Sequence, residues 1–147
     1  MKSISSTQLF LVLLMFIFYS TFLTHLCYAG DTISSGQSLT LNQTLISKAG
    51  KFELGYFRPG TSLNYYIGIW YKQVSFQNKT VVWVANRDDP LTDDPNSSEL
   101  KLLQHGMLAV LQDDGIVWST SESTSNAIVS SEAVLGDDGN LVLRTTG

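Results

Sequence analysis

The sequence predicts an all-β domain, a sandwich, barrel or prism, on three observations. Short apolar runs follow one another closely with turn residues between them, no segment sustains a helical period, and one glycine-centred pattern recurs along the chain. In the recurring pattern Leu102, Gly106, Leu108 and Val110 match Leu135, Gly139, Leu141 and Leu143 at a constant offset, and Gly50, Phe52 and Leu54 form a more distant copy. Each copy is a glycine turn followed by two apolar residues of the same face. A unit of this size cannot bury its own face, so three units are expected to share one core.

Taken in order, Asp31 to Ser47 is polar, with apolar spots at Ile33, Leu39, Leu41 and Leu45-Ile46, and reads as short strands and turns. Gly50 to Phe57 alternates, placing Phe52, Leu54 and Tyr56 on one face before Arg58-Pro59-Gly60 breaks the strand. Tyr65 to Tyr71 is aromatic and β-branched, and Val74 to Lys79 is a polar loop. Val81 to Ala85 is apolar on both sides, Val82 and Val84 on one and Val81, Trp83 and Ala85 on the other, and is expected to be covered on both faces. Asn86 to Pro90 stops it at a polar corner. After a loop over 93–99, strands are expected at 100–103, 107–111 and 116–118, with Asp113-Asp114-Gly115 as a hairpin turn. A loop over 122–126 precedes strands at Ile128-Val129 and 133–135, the turn Asp137-Asp138-Gly139 and a last strand over 140–144. Trp83 closes the first copy and Trp118 the second. By analogy the third should close with a Trp roughly a dozen residues after Gly139. The sequence given stops at Gly147, so the third unit is expected to be cut short.

Residues 1–29 stand apart from this domain. Lys2 precedes a largely apolar run over 9–26, and Cys27-Tyr28-Ala29 offers the small residues a signal peptidase reads, so a secretory signal cut after Ala29 is expected. The rival reading is an uncleaved anchor. Tyr19, Ser20, Thr21, Thr24 and His25 interrupt the run and argue against it. Cys27 is the single cysteine and leaves with the signal, so residues 30–147 hold no disulfide or thiolate site and must rest on an ordinary core. The net charge is −4 and the cations are scattered, which leaves no basic stripe for nucleic acid.

Asp31-Thr32-Ile33, Gly50 to Phe57, Tyr66 to Tyr71, Thr80 to Leu91, Val117 to Thr120 and Gly139 to Leu143 together resemble the bulb-type (mannose-binding, monocot-type) lectin domain. They resemble most closely its form in plant S-locus glycoproteins and G-type lectin S-receptor-like serine/threonine kinases. The resemblance covers nearly all of residues 31–147. It implies a β-prism of three four-stranded units about a pseudo-threefold axis, the third truncated here, with Trp83 and Trp118 in the core. It further implies an extracellular recognition module, in the apoplast or at the plasma membrane, serving pollen recognition or defence. Its partners would be mannose-type glycans or a protein ligand, and a dimer is compatible with the family. The membrane would be reached only through a longer receptor form. No cofactor or metal is expected. The chain has no nucleotide loop, catalytic loop or magnesium motif, so it is expected not to be an enzyme. The alternative is a fragment of a receptor serine/threonine kinase whose kinase domain lies beyond this chain.

The family's mannose motif, Gln-x-Asp-x-Asn-x-Val-x-Tyr, sets five side chains on one strand face. The polar three present donors and acceptors to a vicinal diol, and Val and Tyr pack on the ring or add a hydroxyl. Aligned on the glycine turns, the third copy reads Gly136, Asp138, Asn140, Val142 and Arg144, keeping three of the five. The second reads Leu103, His105, Met107, Ala109 and Leu111, and the first Ser47, Ala49, Lys51, Glu53 and Gly55; neither keeps any. One degraded site is therefore expected at Asp138, Asn140 and Val142, with weak or no mannose binding. The competing reading of Asp138-Gly139-Asn140 is a hairpin turn that needs those residues for backbone reasons alone.

The pairs Asp88-Asp89, Asp93-Asp94, Asp113-Asp114 and Asp137-Asp138 could suggest a glycosidase, but neighbours on an extended chain point apart and each pair abuts a turn residue. Trp70 and Phe52 are expected to fill the core. Asn42, Asn78 and Asn96 head N-glycosylation sequons.

Overall fold

The computed structural model describes residues 30–73, 79–92, 94–104, 106–120 and 131–145, with positions 10, 12, 14 and 15. The expected cleavage site, Asn78, Asp93, His105, the loop over 122–126 and the strand at Ile128-Val129 lie outside the described residues. Among the described residues no helix is long and apolar enough to cross a membrane.

Among the described residues eleven strands form three antiparallel sheets. Three short strands come first: β1 (Thr32–Ser34), β2 (Ser38–Leu39) and β3 (Leu45–Ile46). Each joins a different sheet, so residues 32–46 tie all three together. β3 pairs with β4 (Phe52–Phe57), which continues through β5 (Tyr66–Tyr71) to β6 (Val81–Val84). β2 pairs with β7 (Ser98–Leu102), followed by β8 (Leu108–Gln112) and β9 (Gly115–Ser119). β1 pairs with β10 (Glu132–Leu135), which pairs with β11 (Leu141–Arg144). The third sheet thus has three strands among the described residues. A 3-10 turn at Pro95–Ser97, capped by Asp94, interrupts the loop expected before β7.

The repeat is visible atom by atom. Gly50, Gly106 and Gly139 all adopt positive φ (70°, 74° and 83°). Each donates its N–H to the carbonyl three residues back, Ser47, Leu103 and Gly136, at 2.7, 2.9 and 3.1 Å. Glycine makes the left-handed turn without a Cβ clash, and the alternating apolar residues that follow then face one core. Leu39, Leu45, Leu54, Ile67, Ile69, Leu100, Leu102, Leu108, Val110 and Leu135 are buried there. Each such aliphatic side chain contributes about 1.5–3 kcal/mol on burial.

The third unit is less closed. Phe52 and Leu54 of the first copy and Leu108 and Val110 of the second are buried, whereas Leu141 and Leu143 are half-buried. Beside them Trp83 and Trp118 meet edge to face, with ring centroids 5.7 Å apart and planes at 75°. These rings, Phe52, Ile69 and Leu108 line a cavity of about 490 Å³ together with Asp138, Asn140, Leu141 and Leu143.

Two expectations need correction. β6 is not covered on both faces, because it is the outer strand of its sheet and Val82 is 45% exposed. Nor do Val81 and Trp83 share a face. Val81 lies opposite Trp70 and Trp83 opposite Ile69, with a register shift between them. β9 repeats this, Ile116 opposite Leu111 and Trp118 opposite Val110. In both strands a bulge inserts one residue just before the Trp and turns its ring toward the axis. Trp70 is buried as expected but does not join the central core, since it faces outward beside Glu53.

Candidate functional site

Each sheet has an outer face, and the register fixes what it carries. On the first sheet Glu53, Gly55 and Phe57 lie opposite Trp70, Gly68 and Tyr66. Trp70 Nε1 donates to Glu53 Oε2 at 3.1 Å, and Lys79 Nζ lies 3.6 Å from the centre of the same indole. Burial draws the Lys79 pKa down, with the Glu53 charge opposing that shift. A Cβ at Gly55 would stand 2.8 Å from Thr44 Cγ2 and 3.2 Å from the Trp70 ring. This face is occupied by the protein's own side chains, with Trp70 only 2% exposed. On the second sheet Ala109 is fully buried, Leu103, Met107 and Leu111 are half-buried, and His105 lies outside the described residues.

The third face differs. Thr32, Val134 and Val142 form one row across β1, β10 and β11, and Ser34, Glu132 and Arg144 the next. Beyond Val142 the chain reaches Asn140, whose carbonyl accepts from Gly136 N at 2.8 Å to close the turn. Asp138 Oδ1 accepts from Asn140 N at 3.1 Å and Oδ2 from Asn140 Nδ2 at 2.8 Å. Those two bonds, the backbone one first, hold the Asp138 carboxyl below its ordinary pKa. A Cβ at Gly136 would stand 2.5 Å from Asp138 Oδ1, so the carboxylate lies over the space a longer side chain at 136 would use. At the other end Arg144 Nε donates to Glu132 Oε2 at 3.1 Å. Asp138, Asn140, Val142 and Arg144 are all exposed.

The result is an open strip. A carboxylate and an amide stand at one end, two valines form an apolar floor, and an ion pair stands at the other. Asp138 keeps free acceptor capacity after its two bonds, and Asn140 keeps a second amide hydrogen.

Residues 80–147 match the family model for D-mannose binding lectin. The chain carries a bulb-type lectin domain. Its similarity to curated relatives is high. A G-type lectin S-receptor-like serine/threonine-protein kinase of Arabidopsis thaliana is 47% identical over 134 residues, covering 88% of this chain and 15% of the relative. A receptor-like serine/threonine-protein kinase of the same plant is 41% identical over 118 residues, covering 79% and 13%. The chain thus spans about 15% of the length of the curated relatives it matches, and that part contains the lectin domain rather than a kinase domain. In fold the lectin domain is similar to the lectin from Colocasia esculenta, with TM-score 0.55, 20% identity and coverage of 82% of this chain and 91% of that one. The Remusatia vivipara lectin gives TM-score 0.54 at 20% identity over 82% and 92%.

Within the lectin domain Asp138 and Asn140 bond to one another in the turn before β11, and Val142 and Arg144 are exposed on that strand. Among the described residues the paired aspartates sit in turns, bends or a helix cap. Asp113 and Asp114 take positive φ (48° and 64°) in the hairpin between β8 and β9, Asp94 caps the 3-10 turn, and the Asp89 carbonyl accepts from Asn86 Nδ2 at 3.1 Å. Among the described residues no three His, Cys, Asp or Glu side chains are grouped to hold a metal. Two features escaped the sequence. Asp137 Oδ1 accepts from Ala49 N at 2.7 Å, binding the third glycine turn to the first. Glu132, the partner of Arg144, joins the face only through the β10–β11 register. Neither bond has a local sequence signal, because both link distant segments.

Proposed function

We propose that this lectin domain is a non-catalytic, extracellular recognition module of a plant receptor-like kinase or S-locus glycoprotein, with a single, weak site for mannose-type glycans at Asp138, Asn140 and Val142. The observation that carries the site is the contrast among the three faces. One is filled by Trp70, Glu53 and Lys79, and the second has apolar residues at its described motif positions beside a Lys101–Glu99 ion pair at 2.9 Å, while the third presents a carboxylate and an amide that are exposed to solvent. Weakness follows from two losses. Gly136 and Arg144 stand where the motif has Gln and Tyr, and Asp138 and Asn140 commit part of their hydrogen-bonding capacity to one another.

The rest of the reading follows from this role. Residues 1–29 act as a cleaved secretory signal and deliver the domain to the apoplast, or to the cell surface as part of a longer receptor. Recognition there serves pollen discrimination or defence. Asn42 and Asn96 are exposed and neither belongs to β1, β10 or β11, so glycans on them leave the third face open. A kinase activity would reside in a longer protein.

Titration of the secreted chain with methyl α-mannoside, followed by backbone amide shifts, tests the site. Millimolar affinity is expected, with shifts confined to residues 136–144, and Asp138→Ala or Asn140→Ala should abolish it. Tight binding that survives both substitutions would place the sugar elsewhere.

A further inference from the structure

The third face has a feature that the mannose motif lacks, a guanidinium at the fifth position. The Arg144 side chain is 58% exposed and Glu132 engages it through Nε alone. A guanidinium carries five N–H donors in a planar fork, so one bond leaves its outer edge available. Alternate residues of a strand are about 7 Å apart, so the Cα atoms of Asn140 and Arg144 stand roughly 14 Å apart, a gap that one pyranose and the long Arg144 side chain bridge together. Resting on the site proposed above, we infer that the third face prefers a uronic-acid glycan to a neutral one. The ring would lie on Val142 and Val134, its hydroxyls would meet Asp138 and Asn140, and its carboxylate would pair with Arg144.

Charge fixes the orientation. Asp138 is an anion at the far end of the strip and repels a sugar carboxylate there, so the acidic group must point to Arg144. Glu132 both holds the guanidinium in place and competes for it. Ser34, opposite Glu132, and Thr32, opposite Val134, border the strip on β1 and add hydroxyls without adding charge. An exposed pair of this kind is worth little in absolute terms, so the preference is modest and salt-dependent.

The test uses a matched series differing only at C6: methyl α-mannoside, methyl α-mannosiduronate and the methyl ester of that uronate. Each is titrated into the full chain from a secretory host, with amide shifts as the readout. The uronate should bind roughly three- to fivefold tighter than either neutral sugar at low salt, and the advantage should shrink at about 0.5 M salt. Arg144→Ala should level the uronate with its ester, and Glu132→Gln should widen the gap by removing the competing carboxylate. Equal affinities with shifts at residues 136–144 would overturn the uronate preference and leave the glycan site standing. Shifts elsewhere, or none with any of the three sugars, would overturn both.

Discussion

Asn86 shows how one polar residue can hold a corner of this fold. It is 1% exposed, in a stretch that otherwise reads as a surface turn. Its Oδ1 accepts from Ile67 N at 2.9 Å, and its Nδ2 donates to the carbonyls of Asp89 at 3.1 Å and Tyr65 at 3.4 Å. Asn86→Ala leaves the buried Ile67 N–H and the Asp89 carbonyl short of a partner, while the Tyr65 carbonyl keeps the Leu91 N–H at 3.0 Å, and should lower stability by about 2–3 kcal/mol, read as a fall in the urea midpoint at unchanged slope. The glycine turns allow a sharper comparison. Gly50 and Gly139 both have positive φ, but a Cβ at Gly50 meets nothing within 4 Å, while one at Gly139 would stand 2.9 Å from the Phe52 ring. Gly50→Ala should therefore cost only the backbone strain, about 1 kcal/mol, and Gly139→Ala measurably more in the same urea assay. The glycines were legible in the sequence because the repeat marks them. Asn86 was not, since its partners lie around residue 66 and no local pattern separates a buried Asn from a turn Asn.

At the scale of elements the strands were legible and their faces less so. The alternation of Phe52, Leu54 and Tyr56 gave the core side of β4 correctly. In β6 and β9 a single bulge defeats the alternation, because a period of two cannot register an inserted residue. The joint between the third and first turns was equally hidden, and it makes stability depend on pH. The Ala49 N–H holds Asp137 below its ordinary carboxylate pKa. A group whose folded pKa is depressed stabilises the fold above its unfolded value, and loses that contribution as pH falls through the folded one. The difference in urea midpoint between the parent chain and Asp137→Asn should be largest at pH 5–6. It should shrink as pH falls from about 4 toward 2. A gap that stays constant over that range would mean that the carboxylate charge contributes nothing to the joint.

Across the whole molecule, three sheets built on one pattern were legible from the glycine spacing, and the exposure of Val142 and Arg144 follows from the alternation along β11. The unequal closure of the sheets was not, because it depends on which strands flank each copy. Leu54, Val110 and Leu143 hold corresponding places in the three copies, so their differences report the asymmetry of the fold. Leu54 and Val110 are fully buried in central strands, each flanked by two neighbours, whereas Leu143 is half-buried in β11, which among the described residues pairs with β10 alone. Burying apolar surface stabilises in proportion to the area removed from water, and a truncation costs more where the surroundings cannot relax. Leu54→Ala should therefore cost about 2–5 kcal/mol and Leu143→Ala roughly 1 kcal/mol, with Val110→Ala between them because fewer carbons are removed. Amide hydrogen exchange should follow the same order, β11 opening below the global unfolding free energy and β4 and β8 only with it. The candidate glycan face would then lie on the least stable sheet, and a ligand spanning Asn140 to Arg144 should slow exchange in β11 before it raises the unfolding midpoint. Equal costs for Leu54→Ala and Leu143→Ala would show instead that the third unit is as tightly held as the first.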